Sequence, residues 1–149
     1  MDLQTLRKKA VLEAIRLVEE KIATANQSLL SLQESGNSES KSSMGDKYET
    51  SRELIQLEKQ KVASQLETYL KFQKILNQLP SPKNQPGPGS LVQTDRGLFL
   101  ICVGLGQITV PDTVYCLSPV SPLGQLFCGA QPGGEVSFNK ITYRIIGTS

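Results

Sequence analysis

Gln33-Glu34-Ser35-Gly36-Asn37-Ser38-Glu39-Ser40-Lys41-Ser42-Ser43-Met44-Gly45-Asp46-Lys47 is polar throughout, and long helix-compatible sequence flanks it on both sides. Its serines, with Gly36, Asn37 and Gly45, bury no apolar surface and supply turn and cap chemistry instead. The stretch therefore predicts a helix ending near Glu34, a polar tip over residues 35–46 and a second helix starting near Ser43.

On the N-terminal side, apolar residues fall at Val11, Ile15, Val18, Ile22, Ala25, Leu29 and Leu32, alternating steps of four and three. This is a heptad seam, and the residues between, such as Glu13, Arg16, Glu19, Glu20 and Lys21, are solvent residues. Neither Pro nor Gly interrupts the chain before Gly36. At 1.5 Å per residue, roughly 30 residues make a rod of about 45 Å. On the C-terminal side, Tyr48, Ile55, Val62, Tyr69 and Leu76 recur every seventh residue, with Leu54, Leu57, Leu66, Leu70 and Ile75 off the seam and able to widen it. The companion positions Ser51, Glu58 and Gln65 are polar, and only Phe72 and Leu79 are apolar, so contacts should thin away from the base. Pro80 ends this helix because it lacks an amide hydrogen and disfavours helix in the residue before it. Two rods joined by a short polar turn bury their stripes by folding back, so residues 1–80 read as an antiparallel coiled-coil hairpin.

Residues 81–89, rich in Pro and Gly, read as a semi-extended linker, and residues 90–149 as a small β domain. Strands are expected at 90–94, 98–103, 114–117, 135–138 and 141–146, with tight antiparallel turns at Asp95-Arg96-Gly97 and Asn139-Lys140. Gly104-Leu105-Gly106 reads as a turn. Ser121 as cap, Pro122 at the first helical position and a closing Gly129 mark a helix of barely two turns. The fold class is therefore α+β. Sixty residues bury only a modest core, so the β domain is expected to lean on the base of the hairpin. Phe99, Phe127, Phe138, Tyr115 and Tyr143 are expected in that core.

Composition narrows the chemistry. The 149 residues contain no histidine, which removes Ser-His-Asp and Cys-His nucleophile systems and every imidazole metal site. The net charge of +2 is too small to argue for a nucleic-acid surface. Cys102, Cys116 and Cys128 are odd in number and lack CxxC spacing; they read as small buried hydrophobes in a reduced, cytoplasmic setting. No signal peptide or membrane span is expected from the hydropathy pattern.

The run Ser121-Pro122-Leu123-Gly124-Gln125-Leu126-Phe127-Cys128-Gly129, followed by Pro132-Gly133-Gly134-Glu135-Val136, resembles the C-terminal signature of the Gre transcript-cleavage factors. The likeness holds at Ser121, Pro122, Gly129, Gly133 and Val136, with Gly134 where the family usually has Asp. Tyr48 and Arg52 keep the spacing of the family's Glu-Tyr and following basic residue beyond its acidic tip. The resemblance implies an FKBP-like β domain behind the hairpin. It also implies a factor that is no enzyme itself, binds the secondary-channel rim of bacterial RNA polymerase as a monomer, and carries its tip toward the RNA 3′ end. There the family's tip carboxylates help hold a Mg²⁺ shared with the polymerase, an ion that prefers hard oxygen ligands.

This chain departs from that pattern at the tip. The two carboxylate positions fall on Lys41 and Met44, whose ammonium and thioether do not bind Mg²⁺. The nearest acids on the C-terminal side, Asp46 and Glu49, are three residues apart and share a helix face. They are the candidate metal ligands, against plainer roles in helix capping and a solvated pair with Arg52. Lys41 and Lys47 solvate the tip or meet RNA phosphates and acidic polymerase residues. The family's rim contact carries over onto Val120, Ser121 and Pro122, with helix capping as the competing role of Ser121. The expectation is a Gre-like regulator of elongation with weak or no cleavage stimulation. The alternatives are a cleavage factor using Asp46 and Glu49, and a coiled-coil interaction or chaperone-like module unrelated to polymerase. A prolyl isomerase reading is set aside because the aromatics are assigned to the core.

Overall fold

The computed structural model describes residues 2–39 and 45–149, with side chains over 2–36 and 51–149. Helices α1 (Leu3–Glu39) and α2 (Gly45–Asn77) precede strands β1 (Leu91–Thr94), β2 (Gly97–Ile101), β3 (Gly106–Val110) and β4 (Asp112–Leu117). A short helix α3 (Pro122–Phe127) and strands β5 (Glu135–Phe138) and β6 (Ile141–Thr148) follow. The class is α+β, as the sequence predicts. The chain divides into two compact units, residues 17–73 and residues 1–16 with 74–149, so the division cuts both long helices.

In the unit of residues 17–73, rising numbers on α1 meet falling numbers on α2. The Lys21 ammonium lies 5.7 Å from the centre of the Tyr69 ring, and a side-chain carbon at Gly36 would lie 3.6 Å from Lys59 Nζ and 3.9 Å from Ile55. The two helices therefore run antiparallel here. Val18 and Ala25 on α1 and Val62 on α2 are buried, while Ile22, Leu29, Leu32, Ile55 and Tyr69 are half-buried, which matches the heptad seam. The packing is thin around Ala25, Ser28, Val62 and Gln65, where a groove of about 240 Å³ opens. Gln65, one of the polar companion positions of α2, lines this groove and is itself exposed.

Several expectations are corrected. Helix α1 does not stop near Glu34 but runs through Gly36 to Glu39, and α2 begins at Gly45. Gly36 is tolerated because it is half-buried against Ile55 and Lys59, and tertiary packing outweighs a propensity deficit of about 1 kcal/mol. Of the off-seam residues only Leu66 is half-buried; Leu54 and Leu57 are each 62% exposed, and Leu70 and Ile75 are also exposed, so they do not widen the stripe. Near its start α1 buries Leu6, Ala10 and Ala14, not Val11 and Ile15, which are half-buried. This end of α1 also reaches β6 and the backbone on either side of residues 81–88, through Leu3 and Arg7. Leu3 reaches to 3.6 Å from the position a side chain at Gly147 of β6 would take.

In the other unit the six strands lie in the order β3-β4-β2-β1-β6-β5. All neighbours are antiparallel except β2 and β4, which run parallel with Phe99 beside Tyr115 and Ile101 beside Leu117. This parallel pair and strand β3 were not expected from the sequence. Both turns were: Asn139 and Lys140 have φ of 52° and 65° and join β5 to β6 with Phe138 opposite Ile141, the positive-φ pattern of a tight hairpin. Central strands β1 and β2 carry the consecutive buried runs Leu91-Val92 and Phe99-Leu100-Ile101, as strands covered on both faces do. Val92, Phe99, Ile101, Phe127 and Ile145 form the core. Phe138 and Tyr143 are only half-buried, and Tyr115 points outward with 41% exposure, because β4 alternates and turns Val114 and Cys116 inward.

Residues 81–89 are held against this unit. Arg7 donates through Nε to the Gly89 carbonyl and through Nη2 to the Pro80 carbonyl at 3.3 Å. Gly89 N donates to Ile101 O at 2.7 Å and Gly129 N to Pro86 O at 3.0 Å. Gly89 has φ of 89°, and a side-chain carbon there would strike the Pro80 carbonyl. Gly89→Ala should therefore lower stability by at least about 2 kcal/mol, from left-handed backbone strain and this clash together. Gly87→Ala, which meets nothing within 4 Å, should change it by less than about 0.5 kcal/mol. Urea unfolding midpoints of the two variants check the contrast.

Candidate functional site

Two regions contain residues singled out by the sequence, and a third was not foreseen. The first is the segment between the long helices. Lys41 and Met44 lie outside the described residues, and Asp46, Lys47 and Glu49 fall in the first turns of α2 with side chains outside them as well. Among the described residues no three His, Cys, Asp or Glu side chains gather as a metal site requires.

The second is the start of α3. Ser121 is the N-cap, with extended backbone, and its hydroxyl accepts from Gly124 N at 3.1 Å while donating to Ser118 O at 2.6 Å. Pro122 follows, where its missing amide hydrogen costs the helix nothing. Gly124 is buried so tightly that a side-chain carbon would strike the Ser118 carbonyl. Ser121 is thus committed to capping on both sides. Val120, by contrast, is 75% exposed at the tip of this corner, and Pro122 is exposed beside it. Gln125 Nε2 donates to the Val120 carbonyl at 2.9 Å and fixes the corner's shape. The other residues of the Gre-like run also have structural roles. Gly129 and Gly133 have φ of 84° and 86°, and Gly133 N donates to Ile145 O at 2.7 Å. Val136 packs on the core.

The third is a cleft of about 390 Å³ lined by Arg96, Phe99, Tyr115, Ile141 and Tyr143. Sequence reading missed it by placing the tyrosines in the core. The strict alternation of Thr113, Val114, Tyr115 and Cys116, with Cys116 and Val114 apolar, was the available signal that Tyr115 faces out. The cysteines offer no reactive centre of comparable access. Cys102 and Cys116 are buried side by side, and their mutual hydrogen bond, with burial, pushes the Cys116 thiol above the usual range. Burial also raises Cys128. Protonated thiols such as those of Cys116 and Cys128 are poor nucleophiles and metal ligands, while Cys102, whose pKa the hydrogen bond with Cys116 lowers, is buried.

Comparison with models of protein families, with curated proteins and with solved structures finds no match to this chain. Among the described residues no helix is long and apolar enough to cross a membrane.

The corner at residues 118–125 separates a structural residue from a surface one. Ser121→Ala should cost about 1 kcal/mol by removing the cap. Val120→Asp should leave stability within about 0.5 kcal/mol of the parent, as a surface change does. Thermal unfolding of both variants reads the difference.

Proposed function

We propose that this chain is a divergent Gre-like factor that binds the secondary-channel rim of bacterial RNA polymerase and regulates elongation with weak or no stimulation of transcript cleavage. The observation that carries the reading is the antiparallel contact of two helices of 37 and 33 residues on either side of a short polar segment. On this reading the paired helices are a coiled-coil hairpin. A mostly antiparallel sheet with one short capped helix supports the FKBP-like second domain that the resemblance implies. Exposed Val120 and Pro122, held on a rigid corner by Ser121, are the rim contact in this scheme.

The tip determines what the factor does once bound. At the positions where the family places carboxylates, Lys41 and Met44 supply no oxygen, so the residues present do not fit a shared Mg²⁺. Lys41 and Lys47 instead bring positive charge toward the phosphates of an RNA 3′ end. The protein acts in the cytoplasm as a monomer bound to polymerase, with no catalytic residue of its own.

The test uses stalled, backtracked elongation complexes. The chain should co-purify with bacterial RNA polymerase at micromolar concentration and leave the rate of RNA cleavage close to that of polymerase alone. A Lys41→Asp, Met44→Glu double variant should raise cleavage by at least about tenfold, a modest share of what an added carboxylate–metal interaction supplies. Absence of polymerase binding at that concentration would leave the coiled-coil module as the better reading. Strong cleavage by the parent chain that disappears in Asp46→Asn would instead assign Asp46 and Glu49 as metal ligands.

A further inference from the structure

We infer that the cleft between Arg96, Phe99, Tyr115, Ile141 and Tyr143 is a binding site for a short peptide segment that pairs a bulky apolar side chain with an adjacent carboxylate. The site lies wholly on the β-rich unit and is independent of the tip and of the polymerase reading.

Its floor is preorganised. Phe99 stacks on Tyr115 with centroids 5.5 Å apart and meets Tyr143 edge-on at 5.7 Å. Beneath them Phe127, fully buried, touches both Phe99 at 5.0 Å and Tyr143 at 5.8 Å. Phe99 and Tyr143 cannot turn aside without opening the core, so the apolar surface they present costs little entropy to bind. The Tyr115 ring also rests over Gly97, where a side-chain carbon would lie 3.8 Å from it.

The rim is cationic. Arg96 sits in the two-residue turn between β1 and β2, with its backbone N–H donating to Thr94 Oγ1 at 3.1 Å and its Nε donating to the Thr142 carbonyl at 2.9 Å. These bonds aim the guanidinium while leaving both terminal nitrogens uncommitted, and among the described residues Arg96 makes no ion pair. Among the described residues no acidic side chain lines the cleft. The Tyr115 and Tyr143 hydroxyls have no hydrogen-bond partner among the described residues either. A fixed guanidinium beside an aromatic floor complements an apolar residue next to Asp or Glu, because the planar fork pairs with a carboxylate through two parallel bonds. A single lining cation favours a peptide over a nucleic-acid strand, which needs a track of positive charge along its phosphates.

The test is a nuclear magnetic resonance titration of the isotopically labelled full chain with the probe acetyl-Asp-Leu-Phe-Asp-amide. The expected result is saturable shifts at the amides of Arg96, Phe99, Tyr115 and Ile141. Binding of acetyl-Asn-Leu-Phe-Asn-amide, or of the acidic probe to Arg96→Gln, should be at least about tenfold weaker, as loss of one charge-assisted pair implies. Arg96→Lys, which keeps the charge but loses the two-bond fork, should bind more weakly than the parent and more tightly than Arg96→Gln. The acid-versus-amide comparison needs no substitution and stands if a variant is misfolded. Equal affinity for both peptides, shifts centred elsewhere, no saturation at millimolar probe, or tighter binding of tetrathymidylate would overturn the assignment.

Discussion

One guanidinium joins three separate stretches of the chain. Arg7, in the first turns of α1, donates to the carbonyl of Pro80 just beyond α2 and to that of Gly89 just before β1. Burial lowers its pKa from the ordinary guanidinium value, yet a group that starts so high stays charged. Charged donors to backbone carbonyls contribute about 1.5–3 kcal/mol each. More important than the energy is what becomes fixed: residues 81–89 no longer behave as a loose joint, and the N-terminal turns of α1 belong to the same compact unit as the sheet. The left-handed Gly89, pressed against Pro80, is the geometric condition for that contact.

The sheet depends in turn on small, local commitments. Ser121 caps α3 and ties it to Ser118, Gly124 permits the close approach, and Gly133 turns the chain into β5 while accepting its place beside Ile145. Ser121 and Gly133 are also among the positions on which the proposed likeness to the Gre factors rests, and here each has a reason within the fold. That sharpens which neighbours remain for recognition. Val120, 75% exposed on a corner held by such bonds, is a surface residue on a rigid support. The aromatic cleft follows the same logic, since buried Phe127 supports Phe99 and Tyr143, and Phe99 in turn stacks on Tyr115.

The sequence carried the long helices because their signals are periodic and repeated: Val18, Ile22, Ala25 and Val62 each fall where the seam puts them. Both hairpin turns were legible from short-range chemistry at Asp95-Arg96-Gly97 and Asn139-Lys140. Strand β3 was not, because on an edge strand only Ile108 is buried and Gly106 opens it. The parallel pairing of β2 with β4 was equally hidden, since local patterns report that a strand exists and not that a later one inserts beside it. Gly36 misled in the other direction: a residue that breaks isolated helices is carried by packing against Ile55. At the site, the cap at Ser121 was readable from Ser-Pro spacing, whereas the Arg96 cleft arises from residues on β2, β4, β6 and a turn that no local window contains.

The central claim is that paired helices deliver the polar segment between them to the RNA inside a polymerase. A photo-crosslinking amino acid placed at Ser42 and activated in a backtracked elongation complex reads this directly. The account predicts a covalent adduct with the RNA at or next to its 3′ end. Adducts confined to the polymerase's outer surface, or none with RNA while the chain remains bound, would contradict it.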